Sequence, residues 1–239
     1  MILRMNTDKN TLTLTPKEVQ EVALDRVSEI TKEFVEGFRF LEDNPKSVTF
    51  FGSNQFKEDN PYYQSARTLA GRIAKELNYA VASGGGPGIM EAANRGAFEV
   101  GGTSLGVTIK LPSEQTINKY ITKQVDHYYF FVRKVMLSFS AEAFVFFPGG
   151  FGTLDEFFEI MTLIQTKKIE GVPIICVGGD YWRNVENFLK ETLLSRETIS
   201  EPDLSLYTIT DDHDEILEII RKVPVRNSLP FQPDRGREQ

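Results

Sequence analysis

YAVASGGG (Tyr79–Gly86), followed by PGIMEAANRGAFEV (Pro87–Val100), reads as a short apolar strand that enters a glycine loop and gives way to a helix over Ile89–Val100. The order returns at AFVFFPGG (Ala143–Gly150), a strand entering a second glycine loop, with a helix predicted over Leu154–Thr166. Working outward, SVTFFGS (Ser47–Ser53) is a strand ending in a small-residue turn, and Tyr63–Leu77 carries a helical pattern. TSLGVTI (Thr103–Ile109), VPIICVGG (Val172–Gly179) and LYTIT (Leu206–Thr210) add strands. Tyr128–Phe139, Trp182–Leu194 and Glu215–Val223 add helices. Short runs of β-branched and aromatic residues alternating with helices imply parallel βαβ units. The strands are apolar throughout, as expected when helices cover both sheet faces. The fold class is α/β, with a doubly wound, mostly parallel sheet.

In front of this alternation, Thr15-Pro16-Lys17-Glu18 combines a capping threonine, a proline at the first helical position and a glutamate placed to close a capping box. Val19, Val22, Ala23, Val27 and Ile30 then recur at helical spacing and carry an extra N-terminal helix towards residue 41. The domain reading is therefore a helical extension over 1–45, a Rossmann-like α/β domain over 46–223, and a loose C-terminal tail over 224–239.

Composition narrows the chemistry. One cysteine, Cys176, and two histidines, His127 and His213, leave no disulfide framework, no cysteine metal site and no histidine cluster. With 34 acidic against 27 basic residues the formal charge is −7, so a nucleic-acid partner, which needs a basic face, is not expected. No apolar run is long enough for a signal peptide or a membrane span, and a cytoplasmic protein is expected.

In an open parallel sheet, ligands bind at the carboxyl ends of the strands, where connectivity reverses. Three strand ends here carry small-residue turns: Gly52-Ser53, Gly84-Gly85-Gly86-Pro87-Gly88 and Gly149-Gly150-Phe151-Gly152-Thr153. Each is read as preceding a helix, where close backbone approach and free N–H groups favour an anion. The alternative for any one of them is a tight strand-to-helix turn, and the two glycine loops together favour a phosphate-bearing ligand. A Walker A loop is excluded because no Gly-Lys dipeptide occurs, and the dinucleotide pattern fails because Glu91 stands where its third glycine should be. A mononucleotide or sugar phosphate remains.

Arg133 shares a helix face with Met136, Leu137 and Ser140, which directs its guanidinium towards an apolar surface. Its partner there is a ligand anion or a structural carboxylate. Lys134 is either a second cation of the site or a solvated side chain. Thr153-Leu154-Asp155-Glu156 reads as a capping box at the start of the Leu154 helix. The other reading makes Glu156 the carboxylate that stabilises an oxocarbenium ion or activates water.

SGGGPGIMEAANRGA, the pair Arg133-Lys134 and PGGFGTLDE (Pro148–Glu156) together resemble the LOG (Lonely Guy) family over roughly Ser47–Tyr181. Its members resemble cytokinin riboside 5'-monophosphate phosphoribohydrolases, and the family has long carried a lysine decarboxylase label. The resemblance implies a modified Rossmann fold and assembly as a homodimer or larger oligomer. It implies hydrolysis of a nucleoside 5'-monophosphate, AMP or an N6-modified AMP, to free base and ribose 5-phosphate, with neither metal nor other cofactor. It implies that Arg133 and Glu156 are the catalytic pair. Lys134, Gly150, Gly152, Thr153 and Asp155 match its nucleotide loop, while Thr162 and Glu114 match substrate contacts. Ser53, Gly85, Gly86, Gly88, Glu91 and Phe151, in and beside the strand-end turns, complete the expected binding set. Plant-like members read M-H-E-R-K where this chain has Phe130-Phe131-Val132-Arg133-Lys134, so it resembles a longer bacterial branch with an apolar, aromatic pocket wall. Two rivals remain: a carrier of a nucleotide or molybdenum cofactor on the same fold, and a decarboxylase using pyridoxal phosphate.

Overall fold

The computed structural model describes residues 15–110, 116–139 and 141–225. The first helix, α1 (Pro16–Glu42), starts as its sequence dictates. Thr15 Oγ1 accepts from the Glu18 amide at 3.3 Å, and the Glu18 carboxylate accepts from the Thr15 amide at 2.7 Å. Only its second half meets the body of the protein: Phe34, Phe40 and Leu41 join the core, whereas Val19, Val22, Leu24 and Val27 are exposed. Thr15→Ala is therefore expected to fray the first turns alone. Amide exchange there should quicken by about an order of magnitude while the global unfolding midpoint stays put.

The remaining elements are β1 (Ser47–Phe51), α2 (Pro61–Arg72), β2 (Ala80–Ser83), α3 (Ile89–Glu99), β3 (Ser104–Ile109), β4 (Lys123–His127), α4 (Phe130–Phe139), β5 (Ala143–Phe146), α5 (Phe151–Gln165), β6 (Ile174–Cys176), α6 (Gly179–Phe188), β7 (Tyr207–Ile209) and α7 (His213–Lys222). The strands form one sheet in the order β4-β3-β2-β1-β5-β6-β7, and every pairing is parallel. This is the doubly wound, Rossmann-like sheet that the alternation predicts, and it is wholly rather than mostly parallel.

Side-chain alternation divides the core. Val48, Phe50, Val81, Val145 and Ile175 face α2, α3 and α7. Phe51, Phe144, Phe146, Ile174 and Cys176 face α4, α5 and α6. Trp182 anchors the second layer, its indole N–H donating to the Phe146 carbonyl at 3.1 Å and its ring centroid lying 4.9 Å from that of Phe157.

Three differences from the sequence reading have physical causes. β4 was not expected, because KQVDH is polar; as an edge strand it is largely exposed and needs no apolar run. Its presence delays α4 to Phe130. α5 begins at Phe151 rather than Leu154, with Gly150 as its cap residue and no side-chain cap. The expected Thr153–Glu156 capping box is thus absent: Thr153 lies inside the first turn and Glu156 one turn further in. Finally, Gly52-Ser53 does not lead directly into a helix, since α2 waits until Pro61.

The chain runs outward from β1 to β4, then crosses back to lay β5 against the other side of β1. The reversal therefore falls between β1 and β5, whose pairing ends at Phe51 and Phe146. The turns that leave these two strands are joined by the Ser53 amide, which donates to the Pro148 carbonyl at 3.0 Å.

Candidate functional site

At this reversal the sheet opens into a cleft of about 570 Å³, within the range of small-molecule sites. Gly52, Ser53 and Asn54 line it from the turn after β1, and Gly84 and Met90 from the turn and helix after β2. Phe130, Phe131, Arg133, Lys134 and Leu137 come from α4, and Gly150 to Thr153, Asp155 and Glu156 from the start of α5. Of the residues expected from sequence, the cleft brings together Ser53, Arg133, Lys134, Gly150, Phe151, Gly152, Thr153, Asp155 and Glu156.

The others stand elsewhere. Gly85 and Gly86 lie behind the cleft wall, tied down by Asn118, whose amide donates to the Gly85 carbonyl at 2.9 Å and whose side chain donates to the Gly86 carbonyl at 3.1 Å. Gly88, at φ +71°, is required because any Cβ would collide with the Ser53 carbonyl. Glu91 accepts from the Tyr63 hydroxyl at 2.9 Å instead of reaching the cleft. Thr162 is exposed on α5 and donates to the Phe158 carbonyl at 2.7 Å. Glu114 falls outside the described residues.

The two glycine loops are not equivalent. At the first, the Gly85 amide donates to Ser83 Oγ at 3.1 Å and the Ile89 amide, which opens α3, donates to the Ser53 carbonyl at 2.9 Å. These two amides, with the Gly85 and Gly86 carbonyls held by Asn118, are spent on holding the fold. At the second, the amides of Phe151, Gly152 and Thr153 have no partner among the described residues. They open the first turn of a 15-residue helix, the end that favours an anion.

Arg133 is threaded through the cleft wall. Its Nε donates to the Val107 carbonyl at 2.9 Å, and its guanidinium lies against Gly84, where a Cβ would overlap it. No carboxylate stands within ion-pair distance of it among the described residues, so the structural salt bridge is not its explanation. Burial pulls its pKa below the ordinary arginine value, opposed by the charge of Glu156. Such a cation, half-desolvated and unpaired, is poised for an anionic ligand.

Lys134 is neither solvated nor free. Its ammonium lies 2.8 Å from Asp155 Oδ2 and 2.9 Å from Glu159 Oε2. Burial pushes its pKa down, but the two carboxylates outweigh that and leave it raised. Glu156 alone of these three carboxylates has no ion pair among the described residues, and its Oε2 is buried with no hydrogen-bond partner. Burial pushes its pKa up to about 7; Lys134 and Arg133 pull it back, while Glu159 and Asp155 add to the rise. A carboxyl that titrates near neutrality inside a cleft is a candidate for acid–base work.

Sequence reasoning missed Asn54, Met90 and Glu159. The first two carry no chemical signature. Glu159 could have been found from its place three residues after Glu156, where a helix brings side chains together.

Residues 90–220 match the family model described as "Possible lysine decarboxylase". The chain belongs to this family, the LOG family. It is 31% identical over 151 residues to the cytokinin riboside 5'-monophosphate phosphoribohydrolase of Rhodococcoides fascians, covering 61% of this chain and 75% of that one. It is 26% identical over 170 residues to the pyrimidine/purine nucleotide 5'-monophosphate nucleosidase of Escherichia coli (strain K12), covering 62% of this chain but only 35% of the nucleosidase. The molybdenum cofactor carrier protein of Chlamydomonas reinhardtii shares the fold, with a TM-score of 0.54 and 19% identity over 74% of this chain and 96% of the carrier.

The decarboxylase description would call for pyridoxal phosphate, and the cleft does not suit it. Lys134 is the one lysine lining the cleft among the described residues. A lysine that carries a cofactor as a Schiff base must be able to lose its proton. Two carboxylates hold Lys134 charged. No described group of histidine, cysteine and acidic side chains could hold a metal ion, and no described helix is long and apolar enough to cross a membrane.

Proposed function

We propose that this protein hydrolyses the N-glycosidic bond of a purine nucleoside 5'-monophosphate, AMP or an N6-substituted AMP, giving free base and ribose 5-phosphate. The observation that carries the reading is Glu156. It lines the cleft that also holds an unpaired arginine and the open first turn of α5, and one of its carboxyl oxygens is buried without a hydrogen-bond partner. The nucleotide-cleaving activities named for two of its relatives support the same reaction class.

In this reading the 5'-phosphate meets the amides of Phe151, Gly152 and Thr153 at the positive end of α5. Arg133, held rigid by Val107 and Gly84, binds phosphate or ribose oxygens through the guanidinium nitrogens that the fold leaves free. Ionised Glu156 stabilises the positive charge that develops on the ribose and takes a proton from the attacking water. The bond from the anomeric carbon to the base nitrogen breaks with its electron pair going to the base, which acquires a proton, and a carbon–oxygen bond to water replaces it. Phe130 and Phe131, 61% and 49% exposed at the cleft wall, offer apolar surface to the base. A homodimer or larger oligomer and a cytoplasmic setting belong to the same proposal.

The test is chromatography of reactions with AMP and with its N6-isopentenyl derivative. Free base and ribose 5-phosphate should appear in equal amounts from at least one of them, and the ratio of the two rates gives the preferred base. Nucleotide binding with no base released from either would replace this reading with that of a carrier.

A further inference from the structure

Glu159 belongs to none of the roles assigned above, yet it shares its surroundings with Glu156. The two carboxylates stand three residues apart on α5, close enough in a helix to interact. Lys134, from α4, reaches across to α5 and bridges Glu159 and Asp155, which lie four residues apart on one row of the helix surface. Glu156 occupies the adjoining row and is left out of the bridge, as its partnerless Oε2 records. Among the described residues the other carboxylate oxygen buried without an aligned hydrogen bond is Oε2 of Glu159 itself, 2.9 Å from the Lys134 ammonium. The charged groups that face Glu156 are Arg133 and Lys134 from α4 and Asp155 and Glu159 from its own helix.

We propose that Glu159 is a positioning residue for the reaction: held beside Glu156 by Lys134, its negative charge keeps a proton on Glu156 to higher pH than that carboxyl would retain without it. The proposal rests on reading Glu156 as the catalytic carboxylate. Two like charges in one partly dry site cannot both be held cheaply, so a charged Glu159 resists the ionisation of Glu156. Lys134 works in the opposite direction, both as a cation beside Glu156 and as the tie that offsets Glu159. The three residues would then set the pH window of the enzyme, with Glu156 in contact with substrate and the other two acting through it.

The test follows the Glu156 carboxyl directly, by carbon NMR titration of glutamate-labelled protein, with its resonance assigned by its disappearance in Glu156→Gln. Base release is measured across the same pH range. Glu159→Gln should move the Glu156 titration to lower pH and carry the acid limb of the rate profile with it. About one pH unit below the wild-type midpoint, its rate relative to plateau should then exceed the wild-type value several-fold. Glu159→Asp, which keeps the charge, should return the titration towards wild type, a rescue that a purely structural role would not give. Glu159→Ala, which also removes the charge, should move the titration the same way as Glu159→Gln and carries the test if Glu159→Gln fails to fold, whereas Lys134→Met should shift it to higher pH. A Glu156 titration that stays in place in folded Glu159→Gln, or in folded Glu159→Ala, overturns the proposal. A titration that moves as expected while base release fails to follow it leaves the electrostatics standing and removes Glu156 from catalysis.

Discussion

Glu156→Gln is expected to lose about 10²–10⁴-fold in base release and, in the same molecule, to gain stability above pH 7. The loss follows because an amide neither takes a proton from water nor offers a full charge to the developing ribose cation. The gain follows from linkage. In the folded protein burial disfavours the charged form and pushes the carboxyl up to about 7, against 4.5 for an ordinary glutamate. Below 4.5 both folded and unfolded states hold the proton and the residue costs nothing. Between 4.5 and about 7 the unfolded chain releases its proton while the folded one retains it, so stability falls as pH rises. Above 7 the cost is complete, on the order of 3 kcal/mol from the width of that interval and nearer 2 once the side chain's contact with water in the cleft is allowed for. Glutamine is neutral in both states and escapes it. Urea unfolding at pH 8 should therefore show the variant more stable by about 2–3 kcal/mol, and at pH 4.5 the difference should nearly vanish. Unimpaired base release would take Glu156 out of the mechanism, and an equal stability difference at both pH values would remove its raised pKa.

The same residue shows where sequence reading is strong and where it stops. The sheet was legible because central parallel strands such as Phe50-Phe51 and Phe144-Val145-Phe146 are buried on both faces and must be apolar throughout. β4 was not, because an edge strand is under no such demand. The cleft was legible as a place, since glycine turns at strand ends mark it, but the glycines did not say which of their amides were already engaged. That depends on contacts such as Ser53 with Ile89 and Asn118 with Gly85, which join residues far apart in the chain. Thr153-Leu154-Asp155-Glu156 is the sharpest case. By local chemistry it is a helix start, and the cap reading was reasonable. The structure begins the helix three residues earlier at Phe151, because the second glycine loop supplies the turn, and this releases Glu156 from capping. The side chain that local propensity would have made structural is the one the tertiary fold leaves unpaired. Lys134 went the other way: its fate was decided by Glu159, on a different helix, and no pattern around Lys134 announces that pairing.

Arg133→Ala should cost nucleotide binding and turnover together, about 10²–10⁴-fold in kcat/KM, with most of the loss in affinity. The guanidinium is the one cation lining the cleft without a carboxylate partner among the described residues, since Lys134 is already engaged. Its removal also takes away a charge that holds the Glu156 pKa down, so the acid limb of the residual activity should move to higher pH. Arg133→Lys should not restore the enzyme. A lysine keeps the charge but lacks the planar fork that bonds Val107 with one nitrogen while presenting others to the ligand. The same conclusion can be reached from the opposite wall. Gly84 has no positive φ that would exclude a side chain, yet its Cβ would occupy the space of the Arg133 guanidinium. Gly84→Ala should therefore leave the fold intact and reproduce much of the Arg133→Ala defect by pushing the guanidinium aside. Isothermal titration with AMP, paired with circular dichroism, separates the possibilities. A folded Gly84→Ala with weakened binding places the arginine head group in the nucleotide site, whereas wild-type affinity in both variants would make Arg133 a support of the wall and nothing more.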